Sequence, residues 1–372
     1  MHLSAASMAV AGPGDSPVVA RAFTFCLLAT TVSMFLLMPA LASQHWPFGD
    51  GMHALAYLGP VFGAHQVATL YLFTDREARA VVAADRAFFL VWPLVIVAAT
   101  TVWFYFAGVT ALGYFWAFFA GITIYHYQKQ NIGVFALLAP VLGHGRMSTF
   151  ERRLILAGGL IGIAAFAYPI DHTPFHDTVL GPAHDWIVSA DLIAFAALMA
   201  VAVWHVVRQL RAREAGTRPE WLKYVLLLVL VGYYWPLFVI ENRLVAFLMF
   251  AGSHALQYFA IMGFVAANGT GVDGVRAAGR RGLWQGAVSV VLLGAISYLA
   301  WQLWDGTAGL HRAKVFEQPW TSALIGLTTS FSLVHYHLDA RFWQMRRRES
   351  GHFVRSRLPF LFASGRPRTS GA

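Results

Sequence analysis

The stretch SFSLVHYHLDARFWQMRRR, residues 330–348, decides how the whole chain is read. An apolar run meets a cationic stop here, formed by Arg341, Arg346, Arg347 and Arg348. Yet His335, His337 and Asp339 stand before all of those arginines. Hydrocarbon offers no favourable place for two imidazoles and a carboxylate, and ionisable groups at membrane depth face a bundle interior or water. Either the interior of a helical bundle needs them, or they are the polar end of a helix.

Composition supports the bundle. The chain has 372 residues, of which 58% are hydrophobic, 15% aromatic and 12% charged. Its mean hydropathy is +0.57. Soluble domains carry about 25% charged residues, so the reading is an all-α, polytopic integral membrane protein. The single cysteine, Cys26, excludes an internal disulfide and a cysteine-based metal site.

Apolar runs able to cross roughly 30 Å of hydrocarbon fall at ten places. They are 18–42, 52–73, 86–107, 109–130, 153–170, 186–210, 221–240, 243–267, 283–303 and 318–345. The fourth has an alternative end near 142, through NIGVFALLAPVLG. Basic residues then sort to one side: Arg76, Arg79 and Arg86 after span two, Arg146, Arg152 and Arg153 after span four, and Arg208, Arg211, Arg213, Arg218 and Lys223 after span six. Arg276, Arg280 and Arg281 follow span eight, and the opposite loops hold only Arg243, Arg312 and Lys314. By the positive-inside rule both termini are cytoplasmic, with a leader over 1–17, a bundle over 18–345 and a basic, partly disordered tail over 346–372. The formal charge of +9 is thus a topology signal whose partner is membrane lipid, not nucleic acid. The location implied is a bacterial inner membrane. Ala40-Leu41-Ala42 before Ser43 resembles a signal-peptidase site, while the long polar leader before Arg21 favours a retained first span.

Histidines follow the same parity. His65, His126, His205, His254 and His335 lie in the inner halves of spans two, four, six, eight and ten, and no odd span carries one. At about 100° per residue, His335 and Asp339 lie roughly 40° apart on one helix face, and His337 points about 200° from His335. His65, His126, His254, His335 and Asp339 are therefore the candidate metal ligands. Neutral imidazoles with a carboxylate suit iron, copper, zinc or manganese. Gln257, Tyr258, Tyr127 and Gln128 are candidates to fix the imidazole tautomers. His205, three residues before Arg208, reads as an interfacial side chain, with a weaker place in the metal site as the alternative. His337 is equally a weak ligand or an interfacial ring, and Lys129, i+3 from His126, either joins the site or snorkels to headgroups.

Further polar groups lie in the outer loops: His45, Asp50, His53, Asp171, His172, His176, Asp177, His184 and Asp185. They read as solvated loops, with a second metal or substrate-entry site as the alternative. Glu241 beside Arg243 reads as a salt bridge, and Asp191 as a proton-path or water-facing group. Gly158 and Gly162 form a GxxxG that predicts close helix packing.

A polytopic chain whose histidines gather at the cytosolic ends of its spans resembles the membrane-bound non-haem iron enzymes: desaturases, hydroxylases and alkane monooxygenases. The tight HxxxH and HxxHH boxes of that group are missing at the membrane face; the one HxxxH, His172 to His176, is in an outer loop. The resemblance implies an iron-dependent oxidoreductase for a hydrophobic or lipid-derived molecule; with no flavin or iron–sulfur motif in the sequence, an electron donor, where one is needed, is a separate protein. Two other classes share the same residues: a haem protein with axial histidines, and a metal-ion or proton transporter.

Overall fold

The computed structural model describes residues 17–41, 65–66, 69, 73, 75–107, 109–142, 145–167, 184–212, 221–240, 243–267 and 319–362. Every regular element among them is helical. In chain order these are α1 (Pro17–Leu41), α2 (Arg76–Ala84), a π-helical turn (Ala87–Val91) running into α3 (Trp92–Phe106), α4 (Val109–Leu142), α5 (Thr149–Ala167) and α6 (His184–Arg211). There follow α7 (Trp221–Val231), α8 (Pro236–Val239), α9 (Arg243–Ala267), α10 (Pro319–Phe342), α11 (Arg348–Arg357) and a 3₁₀ turn (Pro359–Leu361).

Among the described residues, four helical stretches are both long and apolar enough to cross a membrane: Val18–Leu37, Ala87–Phe106, Trp186–Arg211 and Val245–Ala266. The longest helix, α4, has 34 residues and runs to Leu142, about 51 Å at 1.5 Å per residue. It is therefore longer than the roughly 30 Å hydrocarbon layer is thick. Span nine, most of span two, Glu241 and the outer-loop histidines from His45 to His176 lie outside the described residues.

The stretch 221–240, expected as one span, is broken. α7 has only 11 residues, too few to cross, and the chain turns at Gly232–Trp235 before α8. Pro236 has no N–H to continue a helical ladder. Local bonds close the break instead: Gly232 N to Leu228 O at 2.9 Å and Trp235 N to Gly232 O at 2.9 Å. The turn inserts two buried tyrosines into the core. Tyr233 donates to Phe250 O and Tyr234 to Ile124 O, each at 2.8 Å, so the break pins α9 and α4 together.

Packing follows the small residues. α10 lies along α3, α1 along α9 and α4 along α5. A methyl at Gly326 would fall 2.7 Å from Phe104 Cβ and 3.0 Å from the Thr100 carbonyl, so only glycine lets α10 approach α3 that closely. The GxxxG of α5 works alike, because a methyl at Gly162 would stand 2.5 Å from the Tyr234 ring. Gly162→Val is expected to cost about 1–3 kcal/mol by overpacking. A lowered thermal midpoint in detergent is the readout, and an unchanged midpoint would contradict this contact.

The tail is more ordered than its composition suggests. α11 is part of the core: Phe353 and Val354 are buried, and Phe360 of the following turn packs edge-on against Phe23 of α1 at 5.3 Å. Arg357 is 1% exposed. It reaches Asp75 through both carboxylate oxygens, at 2.9 and 2.7 Å, and Glu77 at 3.3 Å.

Candidate metal centre

Helical register places the polar groups. On α10, one turn separates His335 from Asp339, and both side chains point into the bundle. α9 contributes His254 and Tyr258, four residues apart and likewise buried. α4 contributes His126 and Tyr127, and the segment before α2 contributes His65 and Thr69, with no member of the set more than 9% exposed.

The four imidazoles stand at the corners of a quadrilateral. Ring centres are separated by 4.9 Å for His65–His254, 4.8 Å for His65–His335, 5.1 Å for His126–His254 and 5.0 Å for His126–His335. The diagonal His254–His335 is 6.3 Å. An imidazole bound through nitrogen at ~2.0–2.1 Å holds its ring centre roughly 3.2 Å from an ion, so neighbouring rings on one ion stand about 4.5–5.2 Å apart. The observed sides fall in that interval. Nε2 of His254 lies 3.2 Å from Nε2 of His65, and Asp339 Oδ2 lies 3.7 Å from His335 Nε2 and 4.0 Å from His126 Nε2. Two overlapping triads, His65/His254/His335 and His126/His335/Asp339, each gather their ligand atoms within 4.8 Å.

Hydrogen bonds orient His335. Its Nδ1 is 2.7 Å from Thr69 Oγ1, which is 2.7 Å from the Tyr258 hydroxyl, which donates to Asp339 Oδ1 at 3.2 Å. Asp339 Oδ1 accepts from Tyr258, as the oxygen of a ligand carboxylate would. Tyr258 therefore spends its proton on Asp339, Thr69 donates to Tyr258, and His335 Nδ1–H donates to Thr69. This order leaves a bare lone pair on His335 Nε2, an atom that is buried and makes no hydrogen bond. Nε2 of His126 and Nδ1 of His254 are likewise buried and make no hydrogen bond. Buried polar atoms almost always have partners, so three such nitrogens in one cluster are unusual, and a cation answers at least the inward-facing lone pairs. Because one lone pair serves one ion, the triads sharing His335 describe a single centre.

The other candidates separate cleanly. Tyr258 joins Asp339 to Thr69, and Tyr127 stacks on His254 at 4.1 Å. Gln257 and Gln128, read as tautomer-fixing groups, instead form an amide network: Gln257 donates to Thr31 Oγ1 at 3.0 Å and accepts from Gln130 at 2.9 Å, while Gln128 accepts from Asn131 at 3.0 Å and donates to Leu230 O at 3.2 Å and to Ile155 O. That network locks α4 to α1, α7 and α9, which holds the histidines indirectly. His337 faces away, its Nε2 2.9 Å from Phe88 O and its ring stacked on Phe88 at 3.8 Å. Lys129 is exposed, although the i, i+3 spacing puts it only about 60° round the helix from His126. His205 is buried against Phe150 at 4.9 Å, near the Glu151–Lys223 ion pair of 3.3 Å and outside both triads. Sequence reasoning missed Thr69 and Trp343, whose indole N–H donates to Asp339 Oδ1 at 3.3 Å; Trp343 lies i+4 from Asp339, a spacing that could have been read.

Comparison of the chain with known protein families, curated proteins and solved structures finds no match.

Proposed function

We propose that this protein is a membrane-embedded, non-haem metal oxidoreductase, with iron held by His65, His126, His254, His335 and Asp339. The observation that carries the proposal is the convergence of four buried imidazoles and a carboxylate from four chain segments, with a ring nitrogen of His126, His254 and His335 making no hydrogen bond. A nitrogen-rich set with one carboxylate and no thiolate suits iron, copper or zinc, and iron supplies redox chemistry at such sites. Beside His126 rises an apolar wall: Tyr336 stacks on it at 4.2 Å, Phe119 lies 6.3 Å from Tyr336, and Phe115 lies 4.8 Å from Phe104. Such a wall favours a hydrophobic or lipid-derived substrate. The ten-span topology, with 221–240 counted as one crossing broken at Gly232–Trp235 and the arginine-rich ends in the cytoplasm, belongs to the same proposal and rests on the positive-inside pattern.

The haem reading is less well supported. Axial imidazoles sit on opposite faces of a flat macrocycle, whereas these rings pack edge to face at 4.8–5.1 Å with no slot between them. Metal analysis with an absorption spectrum of the purified protein decides. The expected result is about one metal per chain with no Soret band. An intense Soret band, or protein that binds no metal when iron is supplied, would end the proposal.

A further inference from the structure

We infer that Trp343 is the port through which electrons reach the metal centre, and that the arginines beside it dock an acidic one-electron carrier protein; this rests on the redox reading of the centre. All five proposed ligands are buried, so a carrier in water cannot touch them. Trp343 is half-buried and reaches the surface just beyond α10. Its indole N–H meets Asp339 Oδ1 at 3.3 Å, and the other oxygen of that carboxylate faces His335 and His126 at 3.7 and 4.0 Å. A single carboxylate thus spans the distance from a surface indole to the cluster.

The surrounding surface has the charge for such a partner. Arg341 is paired with Asp85 at 2.5 Å and Arg357 with Asp75, so both are engaged internally. Arg346, Arg347, Arg348 and Arg355 are exposed in the same turn and helix, against one exposed acid, Glu349. Complementary charge steers encounter and fixes orientation, and here it selects an acidic partner. A single cysteine excludes a cysteine-held iron–sulfur cluster within this chain, so electrons arrive from outside. In the step, the reduced carrier gives up one electron and ferric iron takes it. No bond forms or breaks, and Trp343 conducts without net change.

The test uses the iron-loaded full chain in detergent, with dithionite and a reduced acidic plant-type ferredoxin as alternative reductants, following loss of the ferric signal. Trp343→Phe loses the indole bond to Asp339 and is expected to hold iron less tightly, so both proteins are loaded to the same iron content, at which dithionite is expected to reduce them alike. Ferredoxin is expected to reduce Trp343→Phe at least tenfold more slowly, and its rate on wild type should fall as salt rises. A combined Arg346→Glu, Arg347→Glu, Arg348→Glu variant should raise the half-saturating ferredoxin concentration about tenfold at an unchanged limiting rate. Equal ferredoxin rates in wild type and Trp343→Phe would overturn the port. A charge-reversal variant that changes only sedimentation with phosphatidylserine vesicles would make the arginines a lipid anchor and overturn the docking surface. Failure of the metal reading looks different, since protein that holds no iron gives no ferric signal with either reductant, and the port falls with it.

Discussion

His335→Ala is expected to leave a folded protein that no longer retains iron through purification. The reasoning is that His335 is common to both triads and that its Nδ1 is held by Thr69 at 2.7 Å, which fixes the ring with its Nε2 facing the cluster. Alanine removes a ligand and the anchor of the Thr69–Tyr258–Asp339 chain at once. His254→Ala should act similarly, because it leaves His65 Nε2 without its neighbour at 3.2 Å. Tyr258→Phe keeps every ligand but leaves Asp339 and Thr69 without the bridging hydroxyl, and loss of such supporting bonds typically costs 10–100-fold in metal affinity. His205→Ala should change iron content little. Metal analysis of the four variants reads all of this, with near-ultraviolet circular dichroism as the check on folding. Iron retained at wild-type level in both His335→Ala and His254→Ala would remove the centre from consideration.

Those variants divide along the line between what one helix reveals and what only tertiary packing reveals. His335 and Asp339 were legible because the i, i+4 spacing puts them on one face whatever surrounds the helix. The same arithmetic separates His337, and Phe88 is what it meets. That the histidines stand at a common level was legible too, from their similar distances to the arginines that close the spans. Faces across helices were not. Nothing local says that Gln257 turns to Thr31, or that Lys129, three residues from His126, ends outside. The break at Gly232–Trp235 was hidden by hydrophobicity, since YYWP continues an apolar run while its backbone turns. In the tail, arginines and serines masked the short apolar set Phe353, Val354, Leu358, Phe360 and Leu361, all buried, because a ten-residue amphipathic helix raises little average signal.

That buried tail leads to a large expected loss of stability. Arg357 is a nearly fully buried guanidinium whose charge is balanced by Asp75 and Glu77, and it packs over the Phe353 ring at 5.4 Å. Removing one partner of a buried pair leaves an uncompensated charge, at a cost of about 3–5 kcal/mol. Asp75 also caps α2, accepting from Glu77 N at 2.9 Å and Ala78 N at 3.0 Å, a contribution of about 1 kcal/mol. Asp75→Ala should therefore be among the most damaging single changes at this end of the bundle. Arg357→Met should be milder, because Asp75 keeps its two backbone donors, Glu77 is 31% exposed in its side chain, and methionine fills much of the vacated space. Thermal midpoints of the two variants in detergent test the asymmetry; equal losses would show that the pair is not buried in the way described. The consequence reaches the centre, since Asp75 lies six residues after Thr69 and ten after His65. With the clip broken, the segment carrying both is tied down less, so Asp75→Ala is expected to lose iron more readily than Arg357→Met.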